Sequence, residues 1–126
     1  MHQDPQSRVL EAFQAIDRED LQAFFDMLAD DMSHVDEICK QWLRGKAAVV
    51  AALSPLFSII QSVKSALSDF HVTTTNDLAV VTCMLNQSYI IEGKSTTIVA
   101  PTTCVLRREN GVWKFALMHT LPFCDA

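Results

Sequence analysis

The chain has 126 residues, 49% of them hydrophobic and 20% charged, with a formal net charge of −5. That is one domain's worth of chain, globular in composition and long enough to bury a core without metal or disulfide staples. The negative balance, with basic residues scattered apart from Arg107 and Arg108, argues against a nucleic-acid or anionic-membrane partner.

The opening "MHQDPQSRVLEAF" has neither the apolar core nor the basic lead of a secretory signal, and no apolar run is long enough to span a bilayer. Asp4 is a good N-cap and Pro5 suits a first helical position, so a helix is expected with Val9, Phe13 and Ile16 on one face. Leu21, Phe24, Phe25 and Leu28 recur at i, i+3, i+4 and i+7, a second helical stripe that Asp30 and Asp31 end.

In "LADDMSHVDEI" the period becomes two. On an extended strand His34 and Asp36 share a face and Glu37 points the other way, to solvent. If that shared face looks inward, an imidazole and a carboxylate stand in a cavity. Trp42 follows in a loop, either closing a pocket or packing at a helix–sheet seam. "RGKAAVVAALSPLFSII" keeps helical phase through Val49, Val50, Leu53, Leu56, Phe57 and Ile60, and Pro55 predicts a kink or break near Ala51 to Ser54.

From about Gln61 onward the chain is rich in β-branched and aromatic residues, in four long runs separated by Asn76-Asp77, Glu92-Gly93 and Asn110-Gly111. Asn-Gly is a strong hairpin signal, and Pro101 suggests a bulge or an edge. In the last run Trp113, Phe115, Leu117 and His119 form one face, and Lys114, Ala116, Met118 and Thr120 the other. Helices followed by antiparallel strands make an α+β fold.

Cys39, Cys83, Cys104 and Cys124 form no C-x-x-C pair and are expected as free thiols in a reducing cytoplasm. The spacing of thiols and imidazoles provides no metal motif, and there is no Gly-rich phosphate loop or nucleophile elbow. His71 has no evident partner.

Two helices, a short strand, a helix and long meandering strands resemble the nuclear transport factor two-like superfamily, which includes SnoaL-like polyketide cyclases and ketosteroid isomerases. The marks are "LADDMSHVD", "RGKAAVVAAL", "TIVAPTTCVLRRENGVWKF" and the closing "HTLPF". The resemblance implies one SnoaL-like domain over residues 1–126. In it, three N-terminal helices close one end of a cone-shaped, bent antiparallel sheet around a pocket. It also implies a homodimer through the outer sheet face, where Trp113, Phe115 and Leu117 are too apolar to leave in water.

Ketosteroid isomerase is similar in two segments. Its general-base aspartate follows an "ADD" pair at the spacing of Asp36. Its "VAP" precedes a protonated aspartate of the oxyanion hole, where this chain has Thr103. Its tyrosine donor falls here on Ala12 or Phe13. The base is kept and both acidic donors are gone. One such donor is worth about 3 kcal/mol, so a proficient steroid isomerase by that mechanism is excluded.

Two functions are therefore expected of a pocket for a small, largely apolar molecule. One is cofactor-free proton transfer (isomerase, cyclase, dehydratase or hydrolase) with Asp36 as base, its pKa raised by burial, assisted by His34 or Tyr89. The other is a non-catalytic binding or assembly module of the same fold. Phe13, Trp42, Gln87, Thr103, Met118, His119 and Thr120 are the expected pocket residues. Gln87 and Tyr89 share a strand face that the resemblance turns inward. Met118 and Thr120 face in, and a one-residue slip would bring in His119.

Overall fold

The structure, a computed structural model, describes residues 4–123; Cys124 lies outside the described residues. Helix α1 (Pro5–Asp17) starts where the Asp4 carboxylate accepts from the Ser7 N–H at 2.8 Å. It buries Val9, Ala12, Phe13 and Ala15. At its far end the Asp17 carboxylate accepts from the Ser65 N–H and hydroxyl at 2.8 and 2.7 Å, tying the helix to the sheet.

Helix α2 (Leu21–Asp26) is shorter than its stripe predicts. The Met27 carbonyl accepts from the Phe115 N–H at 2.9 Å, and Leu28 already pairs with Phe115. The ladder thus captures residues that a helix would have continued, which is a long-range effect. Strand β1 (Leu28–Val35) then lies between β2 (Leu43–Arg44) and the last strand. Helix α3 (Lys46–Leu56) continues past Ala51 to Ser54 and includes Pro55, so the break allowed for there does not occur. Pro55 is next to last in the helix, where a missing N–H interrupts little of the ladder.

Strands β3 (Ile60–Thr74), β4 (Leu78–Ile91), β5 (Lys94–Glu109) and β6 (Val112–Thr120) complete one sheet in the order β2-β1-β6-β5-β4-β3. All neighbours are antiparallel except β1 and β6, which run parallel. Glu92-Gly93 and Asn110-Gly111 both have positive φ at each position, the backbone of tight two-residue hairpins. Strand β3 breaks register near Ser62 and Asp69, each with φ of 55°, and such bulges bend a strand. Pro101 pairs with Met84, while β6 reaches only to Thr102, so the proline stands at a local edge.

One bulge overturns an expectation. Leu106 pairs with Phe115 but Val105 pairs with Leu117, so Ala116 is an extra residue. The inward face therefore changes parity along β6. Trp113 and Phe115 are 4% and 0% exposed and belong to the core, as does Met118, while Thr120 is a buried polar residue. Trp113 and Phe115 cannot form an outer dimer stripe. The Arg108 guanidinium lies 4.5 Å from the Trp113 ring centre and Arg8 donates to the Trp113 carbonyl at 3.0 Å.

Candidate functional site

Helices α1 to α3 and the concave sheet face enclose a cavity with about 610 Å³ of empty space, counting its open mouth. Its walls are mostly apolar: Phe13 and Ile16 from α1, Phe24 from α2, Leu53 and Leu56 from α3, with Phe57, Ile60, Val63, Leu85 and Met118. The polar wall is His34, Asp36, Glu37, Gln87 and Thr120.

His34 sits in β1 between Leu43 of β2 and Met118 of β6, and is 7% exposed. Its Nε2 lies 2.7 Å from Asp36 Oδ2. The strand ends at Val35, and Asp36 opens a turn. There Asp36 Oδ1 accepts from the Ile38 and Cys39 N–H groups at 3.0 and 2.8 Å, and its carbonyl accepts from Lys40 at 2.9 Å. Burial pushes the Asp36 carboxyl up more strongly than any other single influence. The hydrogen bonds from His34, Cys39 and Ile38, with the charge of His34, together outweigh it and hold Asp36 below the ordinary carboxylate value. An ionised carboxylate only accepts, so in neutral His34 the hydrogen belongs on Nε2 and Nδ1 keeps its lone pair. That Nδ1 is buried with no partner.

Because of the turn, Glu37 does not point to solvent as a strand would have it; it lines the cavity. Burial, and then the Asp36 charge, raise its pKa, while its own backbone N–H and, more weakly, the Tyr89 hydroxyl oppose the rise. Tyr89 itself is pushed up to about 12, first by burial and then by Glu37. The Cys39 thiol beside the turn is pushed up to about 11 by burial and by the two carboxylates, which makes it a poor nucleophile.

Of the residues expected from sequence, Phe13, His34, Asp36, Gln87, Met118 and Thr120 line this cavity. Tyr89 is buried beside Ile60 and Val63 and is not among the residues that line the cavity. Thr103 is not a cavity residue. Along β5 the buried positions are Ala100, Thr102, Cys104 and Leu106, so Thr103 faces out, opposite Thr82 and His119. His119 is likewise outside, because Met118 and Thr120 take the inward positions. Trp42 is 44% exposed, 5.9 Å from His119 between ring centres and 4.5 Å from the Arg44 guanidinium, on the far side of the sheet.

Glu37 was missed for want of any sign that the strand stops at Val35. Phe24, Leu53 and Phe57 were visible only as core stripes, and a stripe does not say that part of the core is empty. Among the described residues no group of three His, Cys, Asp or Glu is placed to hold a metal, and no helix is long and apolar enough to cross a membrane.

The family described as SnoaL-like domain matches residues 6–120. No curated protein matches the sequence. Among solved structures, a candidate dehydratase of the nuclear transport factor two-like family from Streptomyces avermitilis superposes with a TM-score of 0.84 at 21% identity, over 95% of this chain and 94% of that one. A ketosteroid isomerase-like protein from Erwinia carotovora atroseptica gives 0.80 at 18% identity, over 95% and 94%. A nuclear transport factor two-like protein of unknown function from Pseudomonas putida gives 0.82 at 20% identity, over 95% and 84%. At these identities the likeness is one of fold.

Proposed function

Since the chain belongs to the SnoaL-like domain family, we propose that residues 1–126 are one such domain and that its cavity performs acid–base chemistry on a small, largely apolar molecule. His34 is the proton acceptor in this reading, and Asp36 positions it. The observation that carries the proposal is the imidazole itself: Nε2 held by Asp36 at 2.7 Å, Nδ1 buried and unpartnered on a ring that lines the cavity. Asp36 as base, the reading from sequence, is the weaker one, since a carboxylate held below its ordinary value takes a proton poorly. Beside His34 the same property is useful. A fixed negative charge selects the Nε2–H tautomer and stabilises the imidazolium that forms.

Isomerisation, cyclisation, dehydration and hydrolysis all need such a base and no cofactor. Two of the structural neighbours carry names from this class, a candidate dehydratase and an isomerase-like protein. The test is turnover of a panel of hydroxylated and β,γ-unsaturated ketones whose dehydration or isomerisation yields a conjugated, ultraviolet-absorbing product. His34→Gln is expected to lower turnover by about 10²–10⁴-fold, the usual contribution of a positioned base. Wild-type turnover in that variant would refute the assignment.

A second reading, a ligand-holding or assembly module, draws support from the bonds that Asp36 accepts, since a structural anchor of the turn needs the same ones. Leu78, Val80 and Val99, exposed on the outward face of β4 and β5, support packing of a second copy there. Cys39, Cys83 and Cys104 are free thiols, which suits a reducing cytoplasm.

A further inference from the structure

The hydrogens at the polar wall can be placed one by one. His34 spends its Nε2–H on Asp36, which leaves an acceptor at Nδ1. The Ile38 and Cys39 N–H groups are spent on Asp36 Oδ1. The Ser65 hydroxyl must give its hydrogen to the Asp17 carboxylate at 2.7 Å, so toward Gln87 it can only accept. Gln87 therefore turns Nε2 to Ser65, at 3.0 Å, and its amide cannot flip without setting acceptor against acceptor. The Thr120 hydroxyl donates to Thr102 at 3.4 Å, and Thr102 to the Ala100 carbonyl at 3.3 Å.

What remains uncommitted on the polar wall is a set of acceptors: Gln87 Oε1, Thr120 Oγ1, the Glu37 carboxyl and His34 Nδ1, the last buried in the empty cavity. Among the side chains of the described lining residues the one uncommitted N–H is the second amide hydrogen of Gln87, and none is Lys or Arg. A carbonyl or carboxylate oxygen placed here loses its water and meets mostly lone pairs, and an anion also meets the charge of Asp36. A hydroxyl can donate to Nδ1 and still accept from Gln87.

We propose that the cavity selects a neutral alcohol or phenol with an apolar body, bound through its hydroxyl hydrogen at His34 Nδ1, and rejects carboxylates. This rests on the acid–base reading of the cavity and names the substrate class for it. The Asp17–Ser65–Gln87 chain is then a specificity device, anchored at the end of α1 by a carboxylate that does not itself line the cavity.

Three probes of one shape test the proposal by titration calorimetry on the full chain at neutral pH: 2-naphthol, 2-methoxynaphthalene and 2-naphthoate. Methylating the hydroxyl is expected to weaken binding about tenfold, the worth of one buried hydrogen bond. The naphthoate is expected to bind about a hundredfold more weakly or not at all. Gln87→Met should weaken naphthol severalfold and leave the methyl ether unchanged, and His34→Phe should erase the preference for the hydroxyl. The proposal is overturned by equal binding of naphthol and its ether, by naphthoate binding as tightly as naphthol, by the preference surviving His34→Phe, or by no probe binding. Hydroxyl-selective binding together with full turnover in His34→Gln would keep this proposal and remove the catalytic one. Loss of turnover without selectivity would do the reverse.

Discussion

Asp36→Asn replaces one oxygen by an amide nitrogen and should change both the stability of the turn and the tautomer of His34. The asparagine carbonyl can still accept from the Ile38 and Cys39 N–H groups, as Asp36 Oδ1 does now. Its NH2 then confronts His34 Nε2, which lies 2.7 Å from Asp36 Oδ2 in the native protein. Donor would face donor, so the imidazole must shift its hydrogen to Nδ1. There it loses the lone pair proposed as base and buries an N–H with no acceptor. A hydrogen bond to a charged group is worth about 1.5–3 kcal/mol, and the neutral one replacing it about 1. Relief of carboxylate burial works the other way, yet the pKa of Asp36 lies below its ordinary value, so its partners more than offset that burial. The net loss is about 1–3 kcal/mol, or a Tm lower by about 3–10 °C.

The pH dependence has a definite sign. A depressed folded-state pKa contributes stability above the ordinary value of 3.8, and that contribution is lost as pH falls through the lower, folded value. The gap between wild type and Asp36→Asn should therefore close in strong acid. Thermal unfolding across pH, with long-range proton–nitrogen spectra of the imidazole for its tautomer, measures both effects. An equal or higher Tm at neutral pH, with the Nε2–H tautomer retained, would show that Asp36 does not hold the ring.

Glu37→Gln should raise the Tm at neutral pH, because a raised pKa means the ionised form is disfavoured in the folded state. The gain should vanish below the ordinary value of 4.5, and a lower Tm at neutral pH would mean that the hydrogen bonds to the carboxylate outweigh its burial. Trp113→Ala should cost about 3–5 kcal/mol in chemical denaturation without changing the oligomeric state, since the ring is core; subunit dissociation at unchanged stability would contradict the bulge at Ala116. Val80→Lys combined with Val99→Lys should turn the proposed dimer into a monomer by sedimentation velocity, and an unchanged sedimentation coefficient would remove the outer face of β4 and β5 as the interface.

The elements themselves were legible because their signals are local. Asp4 and Pro5 cap a helix, Asn110-Gly111 has the φ values a tight hairpin requires, and the change of period near Gln61 marks where helices give way to strands. Helix α2 was read too long for a physical reason: the stripe through Leu28 is good helix, and only the pull of Phe115, far along the chain, makes a strand of it. Proximity of His34 and Asp36 was likewise within reach, since two residues apart along an extended segment is a local relation.

By itself, then, the sequence determined the α+β class, the order of helices before strands, and a histidine and an aspartate near one another. Tertiary structure decided which faces look inward and what each polar group can do. A single extra residue at Ala116 moved Trp113 and Phe115 into the core, and strand alternation with both faces apolar left Thr103 and His119 outside. The end of β1 at Val35 turned Glu37 into the cavity. The roles of acceptor and anchor fell to His34 and Asp36 through hydrogen bonds and burial, which arise from packing and not from the identity of a residue or its neighbour. Side-chain parity in a strand reverses with one residue, and a pKa follows its surroundings; neither is written in a pattern of apolar positions.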